Sequence, residues 1–345
     1  MKDSGYFLRA NVLTPALNAV PMHATPGLLK ISSGWWTRAS LSLIAALFMG
    51  AVSPHAAHGS FPGRPGVIVF NWTFHKGDRA DRIGGLYAVR PGQKSPRQLT
   101  TNPGDYGPSF APSGKQLVFR RTSGDQPGLY SLNLSNRKTQ RLTDRSSDLD
   151  PCFGRRGMIV FSRFSGGSSY DLFLRTATGR ARRLVTSPAR EENPVFMPDG
   201  KRVIFTRNYK RPVGLLQARN ASTKLEELFS VRLDGSGLRR IGSAQGIDHL
   251  DASPNGRDLV FESSRRSYAR AVWRRQLDSR RWSLVSGNAG RPTYSPAGNR
   301  VAYWNYQGIW TRRADGRGRH VHVFRTEDTE GNGALAIDPA WQPLP

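Results

Sequence analysis

From Val67 onward, short apolar runs alternate with polar clusters rich in Gly, Pro, Asn, Asp and Ser. The clearest unit is Glu192-Asn193-Pro194-Val195-Phe196-Met197-Pro198-Asp199-Gly200-Lys201-Arg202-Val203-Ile204-Phe205. Pro198 presets φ at the second turn position, Asp199 tolerates the third, and Gly200 accepts a left-handed backbone. Two apolar runs flanking such a turn predict a hairpin. The hairpin recurs, with Pro108, Pro151, Leu250, Pro292 and Pro339 in the place of Pro194. Pro108 brings Phe110, Pro112, Gly114 and Phe119; Pro292 brings Tyr294, Pro296, Gly298 and Tyr303. Leu250 brings Pro254, Gly256 and Phe261, and Pro339 brings Trp341 and Pro343. The Pro151 unit keeps Phe153 and Gly157, has Arg155 in place of the turn proline, and reaches Phe161 one residue early. The anchors are 43, 43, 56, 42 and 47 residues apart. A period in the forties with strands inside it predicts a β-propeller.

Each period carries further strands. The second strands, such as Val203-Ile204-Phe205 and Leu259-Val260-Phe261, are apolar on both faces, as expected of strands covered on both sides. A third is marked by an aliphatic–aromatic pair: Leu86-Tyr87, Leu129-Tyr130, Leu172-Phe173, Leu228-Phe229, Val272-Trp273 and Ile309-Trp310. A more polar fourth (Arg141-Leu142-Thr143 and its siblings, ending with His320-Val321-His322-Val323) suits an exposed edge. The first period lacks its own first strand, and Ala336–Pro345 supplies one. The expectation is an all-β, six-bladed β-propeller over residues 60–345, with four strands per blade and a ring closed by the C-terminal strand joining blade 1. Longer loops are predicted at Trp72–Gly84 and Asn208–Glu227, the second holding the sequon-like Asn220-Ala221-Ser222.

Residues 1–59 read differently. Lys30 and Arg38 precede the apolar run Leu41–Val52, and the small-residue sequences His55-Ala56-Ala57 and Ala57-His58-Gly59 follow. This is the layout of a secretory signal peptide, with Met22 as an alternative start. The run is short for a membrane span. The reading is therefore a secreted or periplasmic chain with no membrane span after signal removal, the alternative being a retained anchor. Cys152 stands alone and reads as a small buried side chain.

The net charge is +26, with nine lysines among 51 basic residues. The arginines are scattered through the repeats, which points away from a specific nucleic-acid function; polyanion binding by an arginine-rich rim is the sharper alternative.

Asp105 through Lys115 and Glu192 through Lys201, with the later Leu-Tyr pairs and Arg-Leu-Thr endings, resemble the WD40-like repeat of TolB-type propellers. The resemblance spans essentially residues 66–345. It implies that partner segments bind at one mouth of the central channel. With the repeat, the leader and the missing catalytic motifs, the expectation is a monomeric, non-enzymatic scaffold for a protein or peptide of the cell envelope.

No Gly-x-Ser-x-Gly, His-Glu-x-x-His or phosphate-cradling loop occurs. His320 and His322 would share a strand face without an evident third metal ligand. One polar pattern stands out. Ahead of the first strands lie Asp105, Asp148 with Asp150, Glu191 with Glu192, Asp248 with His249, and Asp338, with Arg291 at the remaining position. These residues either cap turns through backbone N–H bonds or form a mostly acidic ring at the channel mouth. Such a ring would bind the basic end of a peptide or a cation such as calcium. No organic cofactor is implied. An extracellular polysaccharide lyase or hydrolase is the enzymatic alternative, for which only His249 is well placed.

Overall fold

The computed structural model describes residues 60–75, 82–167, 169–209, 225–265, 270–326 and 334–345. The leader, residues 76–81 and 210–224 of the two predicted long loops, and with them Asn220, lie outside the described residues; the rest of Trp72–Gly84 is paired strand and not loop, with Thr73 opposite Gly84 and Phe74 opposite Ile83. Among those described are 24 strands and one short 3-10 turn at Arg155–Gly157. In chain order the strands are β1 (Arg64–His75), β2 (Arg82–Val89) and β3 (Arg97–Gln98), then β4 (Asp105–Phe110), β5 (Gln116–Arg121), β6 (Gly128–Asn133) and β7 (Thr139–Arg141). Next come β8 (Asp148–Phe153), β9 (Ile159–Gly166), β10 (Ser169–Arg175) and β11 (Ala181–Val185), followed by β12 (Arg190–Phe196), β13 (Arg202–Asn208), β14 (Leu225–Arg232) and β15 (Arg239–Gln245). The last are β16 (Asp248–Ala252), β17 (Asp258–Ser263), β18 (Ala271–Gln276) and β19 (Trp282–Gly287), then β20 (Gly290–Tyr294), β21 (Arg300–Asn305), β22 (Gly308–Arg313), β23 (Val321–Arg325) and β24 (Leu335–Leu344).

The strands fall into antiparallel groups of four: β4–β7, β8–β11, β12–β15, β16–β19 and β20–β23. A single parallel bridge, Tyr170 to Arg190, joins the second and third groups into one sheet. The remaining sheet has the order β24-β1-β2-β3. Trp341 lies opposite Ile68 and Ala336 opposite Trp72, so the C-terminal strand pairs with β1 as the repeat pattern requires.

Local chemistry accounts for each element. The Gly200 N–H closes on the Met197 carbonyl at 2.9 Å with φ of 62°, the left-handed turn read from Pro198-Asp199-Gly200. Gly114, at φ 65°, also has the Pro343 carbonyl where a Cβ would stand, 1.9 Å away, so this turn packs directly on β24. The second strands are the most deeply buried: Leu117, Val118 and Phe119 are fully covered, as are Leu259, Val260 and Phe261. Fourth strands such as Thr139–Arg141 are exposed. Inner strands β4, β8, β12, β16, β20 and β24 each neighbour the next, and β24 neighbours β4.

These inner strands start earlier than the sequence pattern places them. Asp105, Asp148 and Asp248 are the first residues of β4, β8 and β16, and Glu191, Glu192, Arg291 and Asp338 lie within β12, β20 and β24. The acidic residues thus belong to the strands and do not precede them; a β-bulge lets the ladder run past each anchor.

Trp341 is 5% exposed and sits in a core shared by β1, β2, β21 and β23, with Ile68, Phe70, Trp304 and Val323. Trp341→Ala is expected to cost about 3–5 kcal/mol, measured by urea unfolding. A cost below about 1 kcal/mol would show that β24 is not integral to the core.

Candidate binding site at the mouth of a central cavity

Six equivalent residues precede the anchors: Gly107, Asp150, Asn193, His249, Arg291 and Asp338. All have left-handed backbones, with φ between 49° and 58°. Each inner strand is bulged at this point, as between Tyr106 and Ser109, Leu149 and Cys152, or Asp248 and Asp251. A bulge leaves residues outside the ladder, so the anchor proline has no donor to lose. It also breaks the strand's alternation. All six residues, with their anchors, line a cavity of about 140 Å³ bounded by the inner strands.

Neighbours among these six residues are stitched together. The Asn193 N–H donates to Asp150 Oδ2 at 3.2 Å, the His249 N–H to Asn193 Oδ1 at 3.2 Å, and the Gly107 N–H to Asp338 Oδ2 at 3.3 Å. The Arg291 N–H donates instead to Glu262 Oε2 at 3.3 Å. Asp338 accepts from the Arg291 guanidinium.

His249 stands among carboxylates. Its Nδ1 is 3.1 Å from Asp248 and 3.8 Å from Glu262, and its Nε2 is 4.0 Å from Asp338. Burial alone would lower its pKa, but Asp248 and Asp338 overcome this and push it up to about 9. Asp248 is held well below the usual carboxylate range: burial opposes its charge, and His249 and Arg291 outweigh burial. Burial raises Glu262, which also pairs with Arg270 at 2.8 Å. Asp150 differs. Burial and the negative charge of Asp248 push it up to about 6, and its one hydrogen bond is from the Asn193 N–H.

Of the residues expected at the mouth, Asp150, His249, Arg291 and Asp338 line the cavity. Asp248 flanks it through His249, and Glu192 pairs with Arg190 at its margin. Asp105, Asp148 and Glu191 do not line it: their side chains are fully buried behind it. Asp105 holds Arg121 at 2.6 and 2.8 Å, and Asp148 holds Arg163 at 2.6 and 2.7 Å. Glu191 holds Arg207 at 2.8 Å. Each guanidinium lies over the third-strand aromatic: Arg121 is 4.4 Å from the Tyr130 ring centre, Arg163 is 4.8 Å from Phe173, and Arg207 is 4.2 Å from Phe229. The sequence held the signal. Arg121, Arg163 and Arg207 each follow the second-strand Phe by two residues, in the three repeats that carry the acid; the others pair Ile247 with Ser263, Ala289 with Asn305 and Ala336 with Trp72.

Glu262 and Asn193 were missed. Both act by accepting backbone N–H groups from a neighbouring repeat, which no residue spacing reports. His320 contacts the Tyr303 hydroxyl and His322 stacks edge-on against Trp310 at 4.6 Å; burial lowers both pKa values. Among the described residues no group of three or more His, Cys, Asp or Glu is arranged to hold a metal ion.

Comparison with solved structures agrees with this geometry. TolB from Acinetobacter baumannii superposes with a TM-score of 0.64 at 16% identity, covering 80% of this chain and 67% of that one. The fold is that of a TolB-like β-propeller. A putative TolB from Agrobacterium tumefaciens gives 0.54 at 17% identity, over 81% of this chain and all of its own. Hydrazine synthase from Kuenenia stuttgartiensis gives 0.60 at 13% identity, over 84% of this chain but 47% of that one. No protein-family model and no curated protein matches the chain.

Two outcomes follow for this TolB-like propeller. Arg207→Ala leaves Glu191 buried and unpaired, and is expected to cost about 3–5 kcal/mol by urea unfolding. Removing both charges together, with Glu191→Leu and Arg207→Met in one chain, should recover most of that loss. The His249 imidazolium contributes stability that is fully present below its ordinary pKa of 6.5 and lost as pH rises through about 9. Stability measured across that window should fall in the wild type and stay flatter in His249→Gln.

Proposed function

We propose that this chain is a six-bladed ring, closed by β24 on β1, which acts outside the cytoplasm as a non-enzymatic scaffold and grips a basic segment of a protein or peptide at its cavity mouth. The observation that carries the reading is Asp150. Around the ring, Asp338 is answered by Arg291, Asp248 by His249, Glu262 by Arg270 and Glu192 by Arg190. Asp150 lines the cavity with a single backbone N–H for a partner. A half-buried carboxylate with no cation in direct contact, and only the charge of His249 to offset that of Asp248, gains from an incoming Lys or Arg side chain. A small cation such as calcium is the competing occupant of the same carboxylate.

The surface around the mouth suits a protein partner. Phe164, Tyr209 and Tyr306 are 41%, 51% and 79% exposed. Phe164 lies near the end of β9, and Tyr209 and Tyr306 directly follow β13 and β21, at the ends where Asp148 pairs with Arg163, Arg190 with Asn208 and Gly290 with Trp304. Exposed aromatics around a charged pocket are the usual make-up of a protein-binding surface. The TolB-like fold is compatible with such a role and does not by itself assign it. Among the described residues, no helix is long and apolar enough to cross a membrane.

Peptides selected by display on the wild-type protein should be enriched in Lys or Arg. Their affinity should fall roughly 10- to 100-fold on Asp150→Asn, the loss of one hydrogen bond to a charged group, and should be unchanged on the remote Asp315→Asn. Equal binding to wild type and Asp150→Asn would overturn the assignment. Calcium binding by calorimetry, lost on the same substitution, would reassign the carboxylate to a metal. Polysaccharide turnover lost on His249→Gln would make the protein an enzyme.

A further inference from the structure

A second carboxylate, this one buried, lines the same cavity. Asp251, on β16, is 6% exposed and is surrounded by neutral donors alone: the Thr293 hydroxyl at 3.0 Å, the Tyr294 N–H at 2.7 Å, the Ala252 N–H at 2.9 Å and the Ser60 hydroxyl at 2.5 Å. Ser60 reaches it from 191 residues away in sequence. It is 3% exposed, and Phe61 beside it is 1% exposed.

The hydrogen-bond count at Ser60 does not balance. Its single hydroxyl proton faces two acceptors, Asp251 Oδ2 at 2.5 Å and the Tyr294 carbonyl at 2.8 Å. Its backbone N–H donates to the carbonyl of Ala252, the residue next to Asp251, at 3.4 Å. A site with a buried negative charge and surplus acceptors calls for a group with a positive charge and several N–H bonds. An α-ammonium has both. Ser60 directly follows Ala57-His58-Gly59, one of the two small-residue sequences able to precede a cleavage point behind the apolar run.

We propose that the leader is removed between Gly59 and Ser60, and that the new α-ammonium of Ser60 pairs with Asp251 to lock the β16 and β20 strands together. This rests on the signal-peptide reading and is independent of what the mouth binds. A signal-type peptidase adds water across the Gly59–Ser60 peptide bond. Gly59 leaves with the new carboxylate on the leader, and the amine on Ser60 takes up a proton at neutral pH. The pair replaces an arrangement in which burial pushes the Asp251 carboxyl up to about 6. Because Asp251 and Thr293 both line the cavity, processing also completes part of its wall.

The test begins with the intact mass of the chain secreted with its own leader, which should correspond to Ser60 as the first residue. Thermal unfolding then compares the chain starting at Ser60 with one extended by two glycines, each with Asp251 and with Asp251→Asn. The extension should lower Tm by roughly 5 °C with Asp251 and by much less with Asp251→Asn. A different first residue, or the same drop in both backgrounds, would overturn the proposal. Should Asp251→Asn fail to fold, the wild type alone decides: the Ser60 α-amine should resist an amine-acylating reagent at neutral pH, and rapid acylation in the folded protein would exclude the buried pair.

Discussion

The left-handed bulge at the start of every inner strand is the constraint on which the rest of the structure depends. A regular strand would send alternate side chains to opposite faces of its sheet. At Gly107, Asp150, Asn193, His249, Arg291 and Asp338 the chain departs from that alternation, and the ladder resumes one residue past the following proline or leucine, as at Ser109 and Asp251. The ring of polar groups and the packed core beneath it can therefore share one short strand. Left-handed backbone costs of the order of 1–3 kcal/mol per residue where side chains are unsuited to it. Asp and Asn tolerate it through local hydrogen bonds, whereas His249 is held by the adjacent Asp248 and Arg291 by Asp338 on β24.

Behind the ring the repeats divide into two kinds. Three consecutive groups, β4–β7, β8–β11 and β12–β15, carry a buried acid, an arginine and an aromatic stacked in series. The other three fill the same place with Ile247, Ala289 or Ala336, which need no counter-ion. Acid and arginine occur together or not at all, because either alone would leave a buried charge unpaired. This division shapes the mouth. Glu262, Arg270, His249 and Arg291 belong to groups without the buried pair; His249 and Arg291 line the cavity and Glu262 joins them to Arg270 beside it. Asp150 faces them from the other half, next to Gly107 and Asn193, which carry no charge.

Much of the fold was legible in the chain. Turn glycines, doubly apolar second strands and aliphatic–aromatic pairs are local signatures, and their recurrence makes each one confirm the others. The C-terminal strand was legible because the repeat stops at Pro343 while the first period lacks a strand; Trp341 opposite Ile68 is that pairing. The candidate site was legible only as a band of acids. Asp148 and Asp150 look alike in the sequence, two residues apart and both acidic. One is an internal ion pair and the other lines the cavity.

That difference marks the limit of what the sequence determined by itself. It determined the all-β class, the repeat boundaries and the residues able to carry charge, since these depend on spacing along the chain. Only the tertiary structure decided which of those charges meet. The bulges rotate residues off the alternation that spacing assumes, and other repeats supply Asp338 to His249, Glu262 and Asp338 to Arg291, and Thr293 and Ser60 to Asp251, the last from 191 residues away. Electrostatics and burial act through space, so whether a carboxylate is neutralised within the core or left facing the cavity is settled only once the strands are packed.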